Sequence, residues 1–74
     1  MGIQIVMDAS GDARHTFDPS DPHSVRQAQR RFEELTGKGF RAVALGRSEE
    51  PSALQTRFDP NVRETLFVPQ LQGG

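Results

Sequence analysis

The 74-residue sequence contains no cysteine, no tryptophan and no tyrosine, and it has a single lysine, Lys38. Without cysteine, the chain has no disulfide, no thiolate nucleophile and no thiolate ligand for zinc. Hydrophobic residues make up 34% of the chain, and a domain this small buries only about 60% of the surface that its unfolded chain exposes. We therefore expect a folded domain with a small core.

The charges and the hydrophobic pattern argue against three further classes of protein. Nine basic and ten acidic residues give a formal net charge of -1, which argues against non-specific binding to nucleic acid. No hydrophobic run approaches the roughly 20 residues that cross a membrane. The sequence also does not start with basic residues followed by a hydrophobic stretch, the pattern of a signal peptide. We expect a cytoplasmic protein of one domain, residues 1–69, with a flexible tail, residues 70–74.

One long helix is predicted in the middle of the chain. Asp21 is a suitable N-cap and Pro22 suits the first helical position. Hydrophobic residues then recur on one helix face; they are Val25, Ala28, Phe32 and Leu35. Gly37 stands where a left-handed residue commonly ends a helix, so the pattern predicts a helix over residues 22–36.

Strands are predicted on both sides of this helix, from β-branched runs separated by turn residues. The predicted strands cover residues 3–7, 13–17, 40–45, 54–58 and 64–68, and residues 46–52 are expected to form an exposed loop. The order of hairpin, helix, strand, hairpin and tail predicts an α+β fold with a mixed four- or five-stranded sheet and the helix across one face. The helix face is expected to pack on Ile3, Ile5, Met7, Val43 and either Leu66 or Phe67.

This element order, the length and the terminal Gly73-Gly74 resemble the ubiquitin-like β-grasp family. The best local match is residues 64–74, with Thr-Leu, an alternating hydrophobic strand, a leucine near the end and then Gly-Gly. The Asp-Pro pairs and the single lysine look more like divergent bacterial ubiquitin-like modifiers. Gln70 and Gln72 stand where ubiquitin has arginines, so an activating enzyme specific for ubiquitin should reject this tail. Pro69 ends the last strand early.

The resemblance implies a protein modifier without enzymatic activity, activated at the carboxylate of Gly74. An E1-like activating enzyme would use ATP to adenylate that carboxylate, and an E2-like conjugating enzyme would pass it through a thioester to a target protein. A deconjugating peptidase would reverse the attachment. Gly73 and Gly74 lack a Cβ and fit a narrow channel, while Leu71, between Gln70 and Gln72, would be a hydrophobic anchor for tail recognition. The chain itself needs no cofactor.

Other residues offer weaker signals. Lys38 is a possible acceptor for chains of this modifier. Its position also has a simple structural explanation, because a positive charge near a helix C-terminus interacts favourably with the helix dipole. His15 and His23 lie near several aspartates, but their spacing matches no metal site, and a capped helix start explains that segment. No serine or lysine motif predicts catalytic residues.

Two other functions are compatible with the same tail. A sulfur carrier of this fold would convert the Gly74 carboxylate to a thiocarboxylate. A small structural or adaptor domain, for instance of phage origin, would carry Gly73-Gly74 as an incidental end.

Overall fold

The computed structural model describes residues 1–45 and 53–69, and this part of the chain is α+β, as predicted. Its elements are β1 (Gly2–Asp8), β2 (Gly11–Phe17), α1 (Pro22–Gly37), β3 (Phe40–Ala44), β4 (Ala53–Gln55) and β5 (Glu64–Pro69). The first hairpin turns more tightly than expected, with Ala9 and Ser10 between paired Asp8 and Gly11. The loop predicted at residues 46–52 lies outside the described residues.

The strands form one mixed five-stranded sheet in the order β2-β1-β5-β3-β4. β1 and β5 are parallel neighbours in its interior, and the other neighbouring pairs are antiparallel. The expected hairpin between the last two strands is wrong, because β4 pairs with β3 through Val43 and Leu54. Residues 56–63 connect β4 to β5 past the intervening strand β3, so they span two strand spacings, or ~10 Å. β5 then enters between β1 and β3.

The helix starts where the sequence predicts and ends slightly later. The Asp21 carboxylate accepts a hydrogen bond of 3.0 Å from the His23 backbone N–H, which satisfies one of the free amides of the first turn. At the other end, Gly37 is still helical and Lys38 is the C-cap. The left-handed residue is Gly39, with φ of 100°. The left-handed residue therefore lies two positions after the predicted Gly37, while the helix itself ends one residue later than predicted.

The core lies between the helix and one face of the sheet. Ala28 and Phe32 are buried on the helix side, while Val25 and Leu35 from the predicted stripe are half-buried. The buried hydrophobic residues of the central strands are Val6, Ala42 and Phe67. Of the two residues offered as alternatives, Phe67 faces the helix and Leu66 does not.

The remaining expectation for the sheet side of the core is wrong by one residue in register. Ile3, Ile5, Met7 and Val43 alternate with the buried residues and lie on the opposite face. In their place, β1 turns Gln4 toward the helix. Gln4 is completely buried, and its amide donates a 3.0 Å hydrogen bond to the Ala28 carbonyl. A shift of one residue exchanges the two faces of a strand. The side chains of β1 therefore point to the opposite faces from those predicted, and the polar Gln4 faces the helix.

Four phenylalanines form a continuous chain of ring contacts through the core. Phe58 contacts Phe17 at 5.6 Å and Phe32 at 6.0 Å between ring centroids, and Phe32 contacts Phe67 at 5.7 Å. The last two contacts are edge-on, the geometry that aromatic quadrupoles favour. Because Phe58 belongs to the segment after β4, these contacts attach that segment to the helix and to the first hairpin.

Candidate functional site

The strand that leads into the tail is held firmly on both sides. β5 pairs with β1 over Ile3 to Val6 and with β3 over Phe40 to Ala44. Thr65 is 6% exposed and Phe67 is completely buried, so alternate side chains anchor β5 beneath the helix. The site predicted at the C-terminus thus begins from an interior strand of the sheet.

The C-terminal end of β5 lies at one end of the sheet together with Lys38. Pro69 pairs with Phe40, the first residue of β3, and Lys38 precedes Phe40 by two positions. The first hairpin turn lies at the same end, because β1 runs parallel to β5 and turns at Asp8. The possible acceptor lysine and the start of the tail are therefore brought to the same end of the sheet.

The five predicted tail residues are not among those described. They are Gln70, Leu71, Gln72, Gly73 and Gly74. Their predicted roles in activation and recognition, and the predicted domain boundary after residue 69, stay predictions. Lys38 is described and is exposed, and its backbone N–H is used by the helix end, at 3.1 Å from both the Glu34 and Leu35 carbonyls.

The face of the sheet opposite the helix, here called the open face, carries a row of hydrophobic residues. Cross-strand pairing aligns Ile5, Leu66, Val43 and Leu54 across four strands. Leu54 is 63% exposed, and Met7 on the same face is 40% exposed. Arg14 lies at one end of the row, opposite Ile5. No element of the described part of the chain covers this row.

A polar network beneath the helix was missed by sequence reasoning. Arg31 donates a 2.9 Å hydrogen bond to the side-chain oxygen of Gln4, whose amide is bound to Ala28. His15 pairs with Gln4 across the first hairpin. Desolvation by burial, and secondarily the charge of Arg31, lower the pKa of His15. The local sequence offered no signal for this network, because Gln4 and Arg31 are 27 residues apart.

Two aspartates shape turns through neighbouring serines. The hydroxyl and backbone N–H of Ser10 bond to Asp8, and those of Ser20 bond to Asp18. These hydrogen bonds, the hydroxyl one first, lower the pKa of each carboxyl. Within residues 1–45 and 53–69, no cluster of three or more potential ligands could hold a metal ion. The helix α1 lacks the length and hydrophobicity needed to cross a membrane.

Comparison with known proteins identifies no relative. The chain matches no protein-family model, no curated protein and no solved structure.

Proposed function

We propose that this chain is a ubiquitin-like protein modifier of bacterial type with a β-grasp fold. The observation that carries the proposal is the position of β5. This strand lies between β1 and β3, is anchored by Thr65 and Phe67, and is followed directly by a tail that ends in Gly73-Gly74. A folded domain followed by a short segment that ends in glycine would present its C-terminal carboxylate to the active sites of activating and conjugating enzymes.

The arrangement of layers supports the fold part of the proposal. In the described residues, one helix crosses a mixed five-stranded sheet whose middle strand is the last one, β5, between β1 and β3. This is compatible with a β-grasp-like fold. It differs from the simplest hairpin–helix–strand–hairpin description because β4 pairs with β3 and not with β5.

The chemistry resides in the C-terminal carboxylate. An activating enzyme joins this carboxylate to the α-phosphate of ATP and releases pyrophosphate. A cysteine thiolate of the enzyme then displaces AMP to give a thioester. An amine of the target displaces the thiolate and forms an amide. In this scheme the chain contributes a carboxylate, two glycines that pass narrow channels and the hydrophobic side chain of Leu71.

The test is to identify conjugates of this chain in its source cell. A tag can precede Met1, whose side chain is 79% exposed, so that the C-terminus stays native. Arg63 is the last basic residue, and trypsin therefore leaves residues 64–74 attached to a modified lysine. This remnant, found by mass spectrometry on other proteins, is the expected result. A chain lacking Gly73 and Gly74 is the matched control and should yield none.

The other two functions predict different masses for the same purified protein. A sulfur carrier gains the mass of one sulfur minus one oxygen at Gly74 after incubation with ATP, its activating enzyme and a sulfur donor. A structural domain gains no mass and forms no conjugate. Either result would contradict the modifier proposal.

A further inference from the structure

The outer edge of β2 has the features of a pairing surface. β2 is the terminal strand of the sheet, and within the described residues no strand lies beyond it. It is seven residues long and contains neither proline nor lysine, two residue types that commonly protect such edges. The other edge strand, β4, has only three residues. β2 is therefore the longer template for strand addition.

The backbone groups that face outward can be identified from the register. The Ile3 N–H donates to the Arg63 carbonyl, so Ile3 directs its backbone toward β5, and its neighbour Gln4 directs its own toward β2. Gln4 pairs with His15. Because backbone direction alternates along a strand, Asp12, Arg14 and Thr16 point their N–H and C=O groups away from the sheet.

The side chains of these residues are self-complementary in charge. Asp12 and Arg14 are both exposed and, being two positions apart, lie on the same face. An antiparallel copy centred on Ala13 sets Asp12 of each strand opposite Arg14 of the other. A copy centred on Arg14 sets two arginines opposite each other, and one centred on Asp12 sets two aspartates opposite each other; such like-charge pairs are destabilising.

We infer that two copies of this chain associate through antiparallel pairing of their β2 strands, centred on Ala13. Both Asp12–Arg14 pairs are of the hydrogen-bonded type, and each exchanges two backbone hydrogen bonds. The five-stranded sheets that the described residues of the two copies form would join into one continuous sheet. The C-terminal end of β5 is separated from this edge by β1. The inference does not depend on the proposed function.

Charge reversal tests the contact between the strands. By sedimentation equilibrium, the native chain is expected to dimerise weakly, as a small interface implies. Arg14→Asp and Asp12→Arg, each alone, replace both attractive pairs with repulsive ones and should raise the dissociation constant about tenfold or more. Mixing the two variants restores opposite charges at both pairs and should yield a heterodimer. The double variant Asp12→Arg with Arg14→Asp should dimerise like the native chain.

A single introduced cysteine tests the register. Ala13 is exposed and would face its own copy in a non-hydrogen-bonded pair, with Cα atoms about 4.5 Å apart, which a disulfide can bridge. Because the chain has no other cysteine, Ala13→Cys should give one disulfide-linked dimer under mild oxidation. Thr16→Cys is the control, since its two copies would lie roughly 20 Å apart.

The two sets of variants give different results depending on whether the β2 strands pair as inferred. Loss of the dimer in both single variants, its return in the mixture and cross-linking at position 13 support the inference. A chain that stays monomeric at millimolar concentration overturns it. So does a dimer that survives charge reversal, or a Thr16→Cys chain that cross-links as fast as Ala13→Cys. Circular dichroism of every variant confirms that the fold persists.

Discussion

Replacing Phe32 with alanine removes the ring at the centre of the helix–sheet interface. Phe32 is 3% exposed and contacts Phe58 and Phe67 edge-on. Truncation of a buried phenylalanine costs about 3–5 kcal/mol in the free energy of unfolding. Both ring contacts are lost, so we expect about 4 kcal/mol. A 74-residue domain has a total stability of about 4–11 kcal/mol, so this variant should be near or beyond its limit of folding.

Urea unfolding followed by far-ultraviolet circular dichroism measures this loss, because the chain has no tryptophan or tyrosine to report by fluorescence. Phe32→Leu, expected to cost about 1–2 kcal/mol, keeps the measurement possible if the alanine variant does not fold. Leu54→Ala is the control: Leu54 is 63% exposed and should cost less than about 0.5 kcal/mol. A loss under about 1 kcal/mol for Phe32→Ala, or an equal loss for Leu54→Ala, would refute the proposed core.

Three further predictions concern other parts of the molecule. Gly2→Ala introduces a methyl group that overlaps the ring of Phe17 and should cost about 1–3 kcal/mol in thermal unfolding experiments; Gly37→Ala, with open space around it and a helical backbone, should instead be neutral or stabilising by up to about 1 kcal/mol. Burial holds the pKa of His15 in the folded chain below its ordinary value of 6.5, so the unfolded chain binds more protons as the pH falls through about 6.5. Stability should therefore decrease as the pH falls over that range, and His15→Asn should flatten this decrease in the urea midpoint. If the protein acts as proposed and forms lysine-linked chains, Lys38→Arg should abolish those chains while conjugation to other proteins continues; a tryptic remnant of residues 64–74 on Lys38 identifies such chains in the parent, and unchanged lysine-linked ladders in the variant would contradict the assignment.

The sequence predicted the order of the elements and the pairing of the first hairpin, but not the pairing of the later strands. The N-cap at Asp21 and the helical spacing around Phe32 are local signals, and the helix lies within one residue of its expected end. The choice of which face of β1 packs against the helix is not determined by the local sequence. Ile3, Ile5 and Val6 make both faces of that strand hydrophobic, and the inward position of Gln4 depends on Ala28 and Arg31, more than twenty residues away.

The predicted pairing of the last two strands was wrong for a similar reason. β4 has three residues, too few for an alternating pattern, and the turn residues near Pro60 suggested a hairpin between neighbours in sequence. The pairing of β5 with β1 joins the two ends of the described chain, and such long-range parallel contacts leave no mark on local propensity.

The chemistry of the candidate site stays a prediction, and its position in the fold could not be predicted from the sequence. Gly73 and Gly74 can be read from the sequence as a reactive end, but the sequence alone does not show that β5 is an interior strand or that Lys38 lies at the same end of the sheet. Both features arise from pairings made by distant residues. The network of Gln4, Arg31 and His15 was unpredictable on the same grounds.

The most direct test of the proposed function compares the native chain with one that lacks Gly73 and Gly74. Both are incubated with ATP and the activating enzyme, and thioester formation is followed by a gel-shift that thiols reverse. The proposal predicts a thioester for the native chain, none for the truncated chain, and nearly identical unfolding temperatures, because the tail offers one hydrophobic side chain, Leu71, to the fold. A truncated chain that still forms the thioester, or that loses its fold, would contradict the proposal.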